Sequence, residues 1–166
     1  MATAWIYGEE LGYKVLIVST FDFSGTVLHP QCKVWATGGS IIFGSGNIVE
    51  ENAVIINRGP DALFIGDNNV FEVGSVMEGA KLGNRNTLEV RSHVKGGTWL
   101  GDDCVIGAVC TTNEGEVLED KTVIYGDNNE RRVYTGSRTS HNIIHTRHLD
   151  YLFQTLPKFN HSRSSS

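Results

Sequence analysis

KLGNRNTLEVRSHVKGGTWLGDDCVI, from Lys81 to Ile106, places an aliphatic side chain at every sixth position: Leu82, Leu88, Val94, Leu100 and Ile106. The series continues through Thr112, Leu118 and Ile124, and Thr112 is its one non-aliphatic member. Upstream, the same spacing links Ile65, Phe71 and Met77, then Phe43, Val49 and Ile55, then Leu28 and Val34. The register slips three times, by residues inserted before Phe43 and before Ile65 and by one residue missing before Leu82. Four places after each of these residues the side chain is usually small: Cys32, Gly38, Asn47, Ala53, Asn69, Ser75, Asn86, Ser92, Thr98, Cys104, Cys110 and Thr122. Lys81 and Glu116 break that second rule.

A helix cannot use a period of six, because 3.6 residues per turn would smear the apolar positions around its surface. Plain two-residue alternation in strands would not demand a special residue at every sixth place. Short strands joined by tight corners do fit, with three strands closing one triangular coil. The spacing therefore predicts an all-β fold, a left-handed parallel β-helix of hexapeptide repeats. Its left hand is the family's pattern and runs against the usual right-handed crossover. Residues eighteen apart stack between coils, Leu82 with Leu100 and Leu118, and Leu88 with Ile106 and Ile124. Each buried aliphatic side chain contributes roughly 1.5–3 kcal/mol. Stretches such as Gly66-Asp67-Asn68-Asn69, Gly83-Asn84 and Gly101-Asp102 are expected at corners that tolerate positive φ.

Composition agrees with one turn-rich domain. The chain has 166 residues, with 19 Gly against 3 Pro, which argues against both collagen and Pro-rich disorder. A net charge of −5 makes nucleic acid an improbable partner, and no apolar run is long enough for a membrane span. Without a recognisable export signal, Cys32, Cys104 and Cys110 read as reduced, buried thiols of a cytosolic protein, and the Asn160-His161-Ser162 sequon as unused.

Three regions follow. Residues 1–24 lack the repeat and are a cap or a divergent start. Residues 25–130 form the β-helix, and 131–166 hold a polar linker, a short helix and a disordered tail. In the helix, Leu149, Leu152, Phe153 and Leu156 form one apolar face, ended by Pro157. That face is expected to pack on the flank of its own solenoid, with a neighbouring subunit as the alternative surface.

Chemistry is sparse. Hexapeptide β-helices include acyltransferases with a histidine base and zinc carbonic anhydrases of the gamma class, so histidine discriminates. The coils hold only His29 and His93, several coils apart, and surface positions explain both. His141, His145 and His148 are spaced to share a helix face, but a packed or solvated helix edge accounts for them as well. No carboxylate pair, P-loop or G-x-S-x-G stands out. No catalytic residue, metal or cofactor is expected.

The wording of the repeats is more specific than their period. Gly46 to Asn57 (GNIVEENAVIIN), Ile65 to Gly74 (IGDNNVFEVG), Cys104 to Val133 and Leu149 to His161 (LDYLFQTLPKFNH) resemble the dynactin subunit 6 family. The resemblance runs from near Leu28 to His161. It implies a non-catalytic, cytoplasmic, cytoskeleton-associated subunit of dynactin's pointed-end assembly. Its partners there are dynactin subunits 4 and 5 and the pointed-end actin-related protein, and its role is in dynein-driven transport along microtubules. The runner-up is an acyltransferase or a gamma-class carbonic anhydrase. Two features depart from the family: residues 1–24 lack its additional coils, and its long polar loop is reduced to Arg58-Gly59-Pro60-Asp61-Ala62. With no Ser-Pro or Thr-Pro dipeptide, proline-directed phosphorylation of the tail is not expected.

Overall fold

The computed structural model describes residues 25–29, 31–137 and 139–159. The 1–24 segment and the final serines, read above as a cap or divergent start and as a disordered tail, lie outside the described residues.

Each coil takes three short strands, one per side of a triangle, so every strand pairs with the third one after it. The first side stacks β1 (Val27–Leu28), β4 (Ile48–Val49), β7 (Val70–Phe71), β10 (Thr87–Leu88), β13 (Val105–Ile106) and β15 (Thr122–Tyr125), with β16 (Glu130–Val133) added at the end. The second stacks β2 (Lys33–Ala36), β5 (Val54–Asn57), β8 (Val76–Met77) and β11 (His93–Val94). The third stacks β3 (Ile41–Phe43), β6 (Leu63–Ile65), β9 (Lys81–Leu82), β12 (Trp99–Leu100) and β14 (Val117–Leu118). All pairings are parallel except that of β15 with β16. The chain is a left-handed β-helix followed by one helix, α1 (Thr139–Phe159).

Inside, the six-residue series forms three columns. Leu88, Ile106 and Ile124 stack in one, and Leu82, Leu100 and Leu118 in another. Val94 stacks on Met77 in the third. All eight of these residues are buried in one continuous core. The small residues four places on also point inward, and at one corner they form a polar ladder. Asn47 Oδ1 accepts from the backbone N–H of Asn69 at 2.9 Å, Asn69 Oδ1 from that of Asn86 at 2.9 Å, and Asn86 Oδ1 from that of Cys104 at 2.7 Å. A parallel stack leaves corner N–H groups without a strand partner, and the asparagines supply the acceptor.

A second ladder runs along the outside of the same corner and corrects one expectation. Asp67 N–H donates to Asn84 Oδ1, Asn84 N–H to Asp102 Oδ1 and Asp102 N–H to Asp120 Oδ1, each at 2.8 Å. Gly66, Gly83 and Gly101 do not carry positive φ; Asn68, Arg85 and Asp103, two places further on, do, and so does Lys121. Those glycines are required by close approach instead. A Cβ on Gly83 would stand 2.5 Å from Asp102 Oδ1 and 2.5 Å from the Gly101 carbonyl.

The register slips share one corner. Extra residues before Phe43 and before Ile65 make the corner between the second and third sides protrude in two successive coils. The missing residue pulls it in at Gly79 in the next coil, where a Cβ would lie 2.8 Å from the Thr98 carbonyl.

Beyond the repeats, two expectations need correction. The segment from Arg131, read as a loop, begins inside strand β16, antiparallel to β15. The sequence disguises it because its apolar–polar alternation is missing: Arg131 lies opposite inward-facing Ile124, so it faces the open end of the core. There it pairs with Glu116, Nε to Oε1 at 2.7 Å and Nη2 to Oε2 at 2.8 Å. Glu116 breaks the small-residue rule because no further coil follows to crowd it. The helix also starts earlier than its apolar stripe and runs past Pro157 to Phe159. Proline there removes one N–H bond in the last turn, toward the carbonyl of exposed Phe153, which water can reach.

Candidate functional site

Among the described residues no group of three metal-ligating side chains gathers in a cleft, which leaves the three outer faces, where alternate strand residues point away from the core.

The first face lies under α1. Leu152 is buried with Val27 and Ile48, and Leu149, Leu156 and Val70 pack partly buried around them. Phe153, expected on this face, is 45% exposed. It is turned about 100° around the helix from Leu152, and the packed line runs through residues 145, 149, 152 and 156. His145 extends that line. It is buried, and its Nε2 donates to the Gly46 carbonyl at 2.8 Å. Burial, and less strongly His148, lower its pKa, against the Gly46 bond that raises it, so the ring is neutral at pH 7. His148 Nε2 lies 3.2 Å from Glu50 Oε1. Glu72, near Glu50 and Glu89, has its pKa raised chiefly by burial.

Of the three histidines that share a helix spacing, His145 and His148 therefore both face the solenoid. The side chain of His141 lies outside the described residues. Among the described residues no group of three His, Cys, Asp or Glu side chains could hold a metal ion. In the coils, His93 Nε2 contacts Glu78 Oε2 at 3.0 Å, and His29 Nδ1 accepts from the Gln31 N–H at 3.3 Å.

Cys104 and Cys110 are buried and Cys32 is partly so. Burial pushes the thiols of Cys32 and Cys104 up to about 11 and raises that of Cys110. A nucleophilic cysteine needs the opposite shift.

The second face is mixed: Val54 and Val76 are half-buried, Lys33 is exposed with its Nζ 5.7 Å from the Trp35 ring, and His93 is held by Glu78. The third face differs. Its outward residues Ile42, Phe64, Lys81, Trp99 and Val117 lie in one register column. Phe64 is 50%, Trp99 51% and Val117 71% exposed. Lys81 Nζ lies 5.7 Å from the Trp99 ring centroid. Sequence reading followed the inward residues and passed over this column. Its signal was present, as the residue just before every third inward position.

No family model matches the chain. A dynactin subunit 6 from Nematostella vectensis is 39% identical over 154 residues, covering 86% of this chain and 82% of that protein. Those from Danio rerio and Dictyostelium discoideum are 36% and 37% identical, covering 84% and 81% of this chain and 76% and 74% of theirs. The chain belongs to the dynactin subunit 6 family.

A hexapeptide transferase family protein from Anaplasma phagocytophilum superposes with a TM-score of 0.58 at 12% identity, over 81% of this chain and 82% of that one. At that identity the likeness is one of fold. The stretches that carry the resemblance to the dynactin subunit 6 family occupy definite places in it. Gly46 to Asn57 spans β4 and β5, and includes the carbonyl that receives His145. Cys104 to Val133 runs from β13 to the closing strand β16. Leu149 begins the docked half of α1.

Proposed function

We propose that this chain is a non-catalytic structural subunit of dynactin that acts in the pointed-end assembly. There it binds dynactin subunits 4 and 5 and the pointed-end actin-related protein, and supports dynein-driven transport of cargo along microtubules. The setting is cytoplasmic and cytoskeletal. The observation that carries this reading is similarity to dynactin subunit 6 proteins over more than four-fifths of the chain. Two features of the side chains support the non-catalytic part. His145 is committed to holding α1 on the solenoid, and the described cysteines have raised thiol pKa values. No helix among the described residues is long and apolar enough to cross a membrane.

The test is purification of the tagged full chain from its own cells at native abundance. Recovery of dynactin subunits 4 and 5 and the actin-related protein in one large particle is the expected result. A free homotrimer that turns over acyl-CoA, or hydrates carbon dioxide with one bound zinc per chain, would replace this reading with the enzymatic one.

A further inference from the structure

Two sides of the triangle are accounted for: α1 covers part of the first, and the second carries polar and half-buried side chains. The third presents Ile42, Phe64, Lys81, Trp99 and Val117 in one column, about 4.8 Å apart from strand to strand. A monomer scatters its exposed apolar residues; a stripe with Phe64 and Trp99 on either side of a single lysine marks a contact surface. Beside this face, the protruding corner and the shortened one after it form a step with a half-open cavity of about 240 Å³. Ala62, Ala80 and Gly97 line it together with the charged Arg58, Asp61 and Glu78, and the three small residues stand one or two places before Phe64, Lys81 and Trp99. The cavity is below the roughly 300–1,000 Å³ of small-molecule pockets, and its lining adjoins the column in sequence. It has the size and place of a socket for a partner's side chain.

We infer that this third face is a docking surface for a different protein chain, one that presents an apolar patch carrying a carboxylate. Lys81 decides the occupant. It sits mid-column, 5.7 Å from the Trp99 ring, and among the described residues it has no carboxylate within ion-pair distance. A two-fold contact between copies of this face would bring the same patch against itself. The other four members of the column are neutral, so self-pairing of the column would bury Lys81 against no acid within it. A foreign surface with a carboxylate at that place satisfies the charge, and it discriminates against the self-contact.

The inference uses the proposed function for its probe. The full chain would be co-expressed with dynactin subunits 4 and 5 and the pointed-end actin-related protein, and the affinity of the assembly for it measured. Trp99→Ala and Lys81→Glu should each weaken incorporation about thirtyfold or more, the size of an interface hot spot. Tyr151→Ala, on the exposed side of α1, should change it less than threefold. Melting curves of the free variants accompany the measurement, and exposed Lys81 supplies a variant that keeps the fold if Trp99→Ala does not. Normal incorporation of folded Lys81→Glu would overturn the surface while leaving the functional reading in place. Self-association of the wild-type chain that both substitutions abolish would make the occupant a second copy, which also overturns it. Failure of the wild-type chain to join the assembly would remove the functional reading, and this partner with it.

Discussion

Single residues in this fold are judged by their neighbours one coil away. Gly83 looks like a turn glycine, yet its backbone is ordinary and its constraint is the Asp102 carboxylate and Gly101 carbonyl of the next coil. Gly83→Ala should therefore lower stability by about 1–3 kcal/mol, the cost of overpacking, read as a shift in the urea midpoint. A variant as stable as wild type would mean the corner has room to relax. Val109 is the converse case. It is 74% exposed with φ of 62°, a conformation that costs a β-branched residue roughly 1–2 kcal/mol. Val109→Gly removes that strain and loses little burial. Against the greater unfolded-state freedom of glycine, the expected net gain is about 0.5–1 kcal/mol, visible as a higher melting temperature. The repeat places Gly101 one coil from Gly83, but neither the 2.5 Å approach there nor the positive φ of Val109 can be read from spacing.

Elements were legible in proportion to how far their burial repeats. The strands of the coils follow from the six-residue series, because each inward position meets the same triangular core. α1 was legible only in its docked half, where Leu149, Leu152 and Leu156 supply a pattern. Its first turns carry no apolar stripe, only the histidine spacing that puts His145 on the packed line, and their helicity propagates from the docked part, since adding a residue to an existing helix is far easier than starting one. Phe153 shows the limit of a helical wheel read without its partner surface: apolar and correctly spaced, it still faces water. The two neighbours can be separated by experiment. Leu152→Asp should release α1, with loss of amide protection along the helix and a fall in stability of a few kcal/mol. Phe153→Asp should leave protection and melting nearly unchanged. Equal damage from both would place the packed line elsewhere on the helix.

At the scale of the whole molecule a solenoid is a one-dimensional stack, with stability spread over nearest-neighbour contacts and loss beginning at the ends. The far end here is closed by β16, which covers the edge of β15, and by the Arg131–Glu116 pair that spans the mouth of the core. An uncovered parallel edge would invite another strand, so this pair also limits the length of the stack. Its pH dependence follows from the charges. The hydrogen bond from Arg131 is the main reason that the Glu116 carboxyl lies below the ordinary carboxylate value, and the Asn113 N–H assists while burial opposes. A carboxylate with a lowered folded pKa adds stability above its unfolded value of about 4.3, and that stability is lost as pH falls through the folded value. The pair is partly open to water, with side-chain exposures of 31% and 17%, so its contribution is about 1 kcal/mol. Glu116→Gln should thus lower the melting temperature by a few degrees at pH 7. It should also flatten the part of the acid-induced loss that falls below pH 4.3. Hydrogen exchange at pH 7 should rise in β16 and β15 while β4 and β7, at the other end of the same sheet, stay protected. Exchange rising uniformly along the sheet would show the coils melting as one unit, and the end pair would then be a surface contact without a closing role.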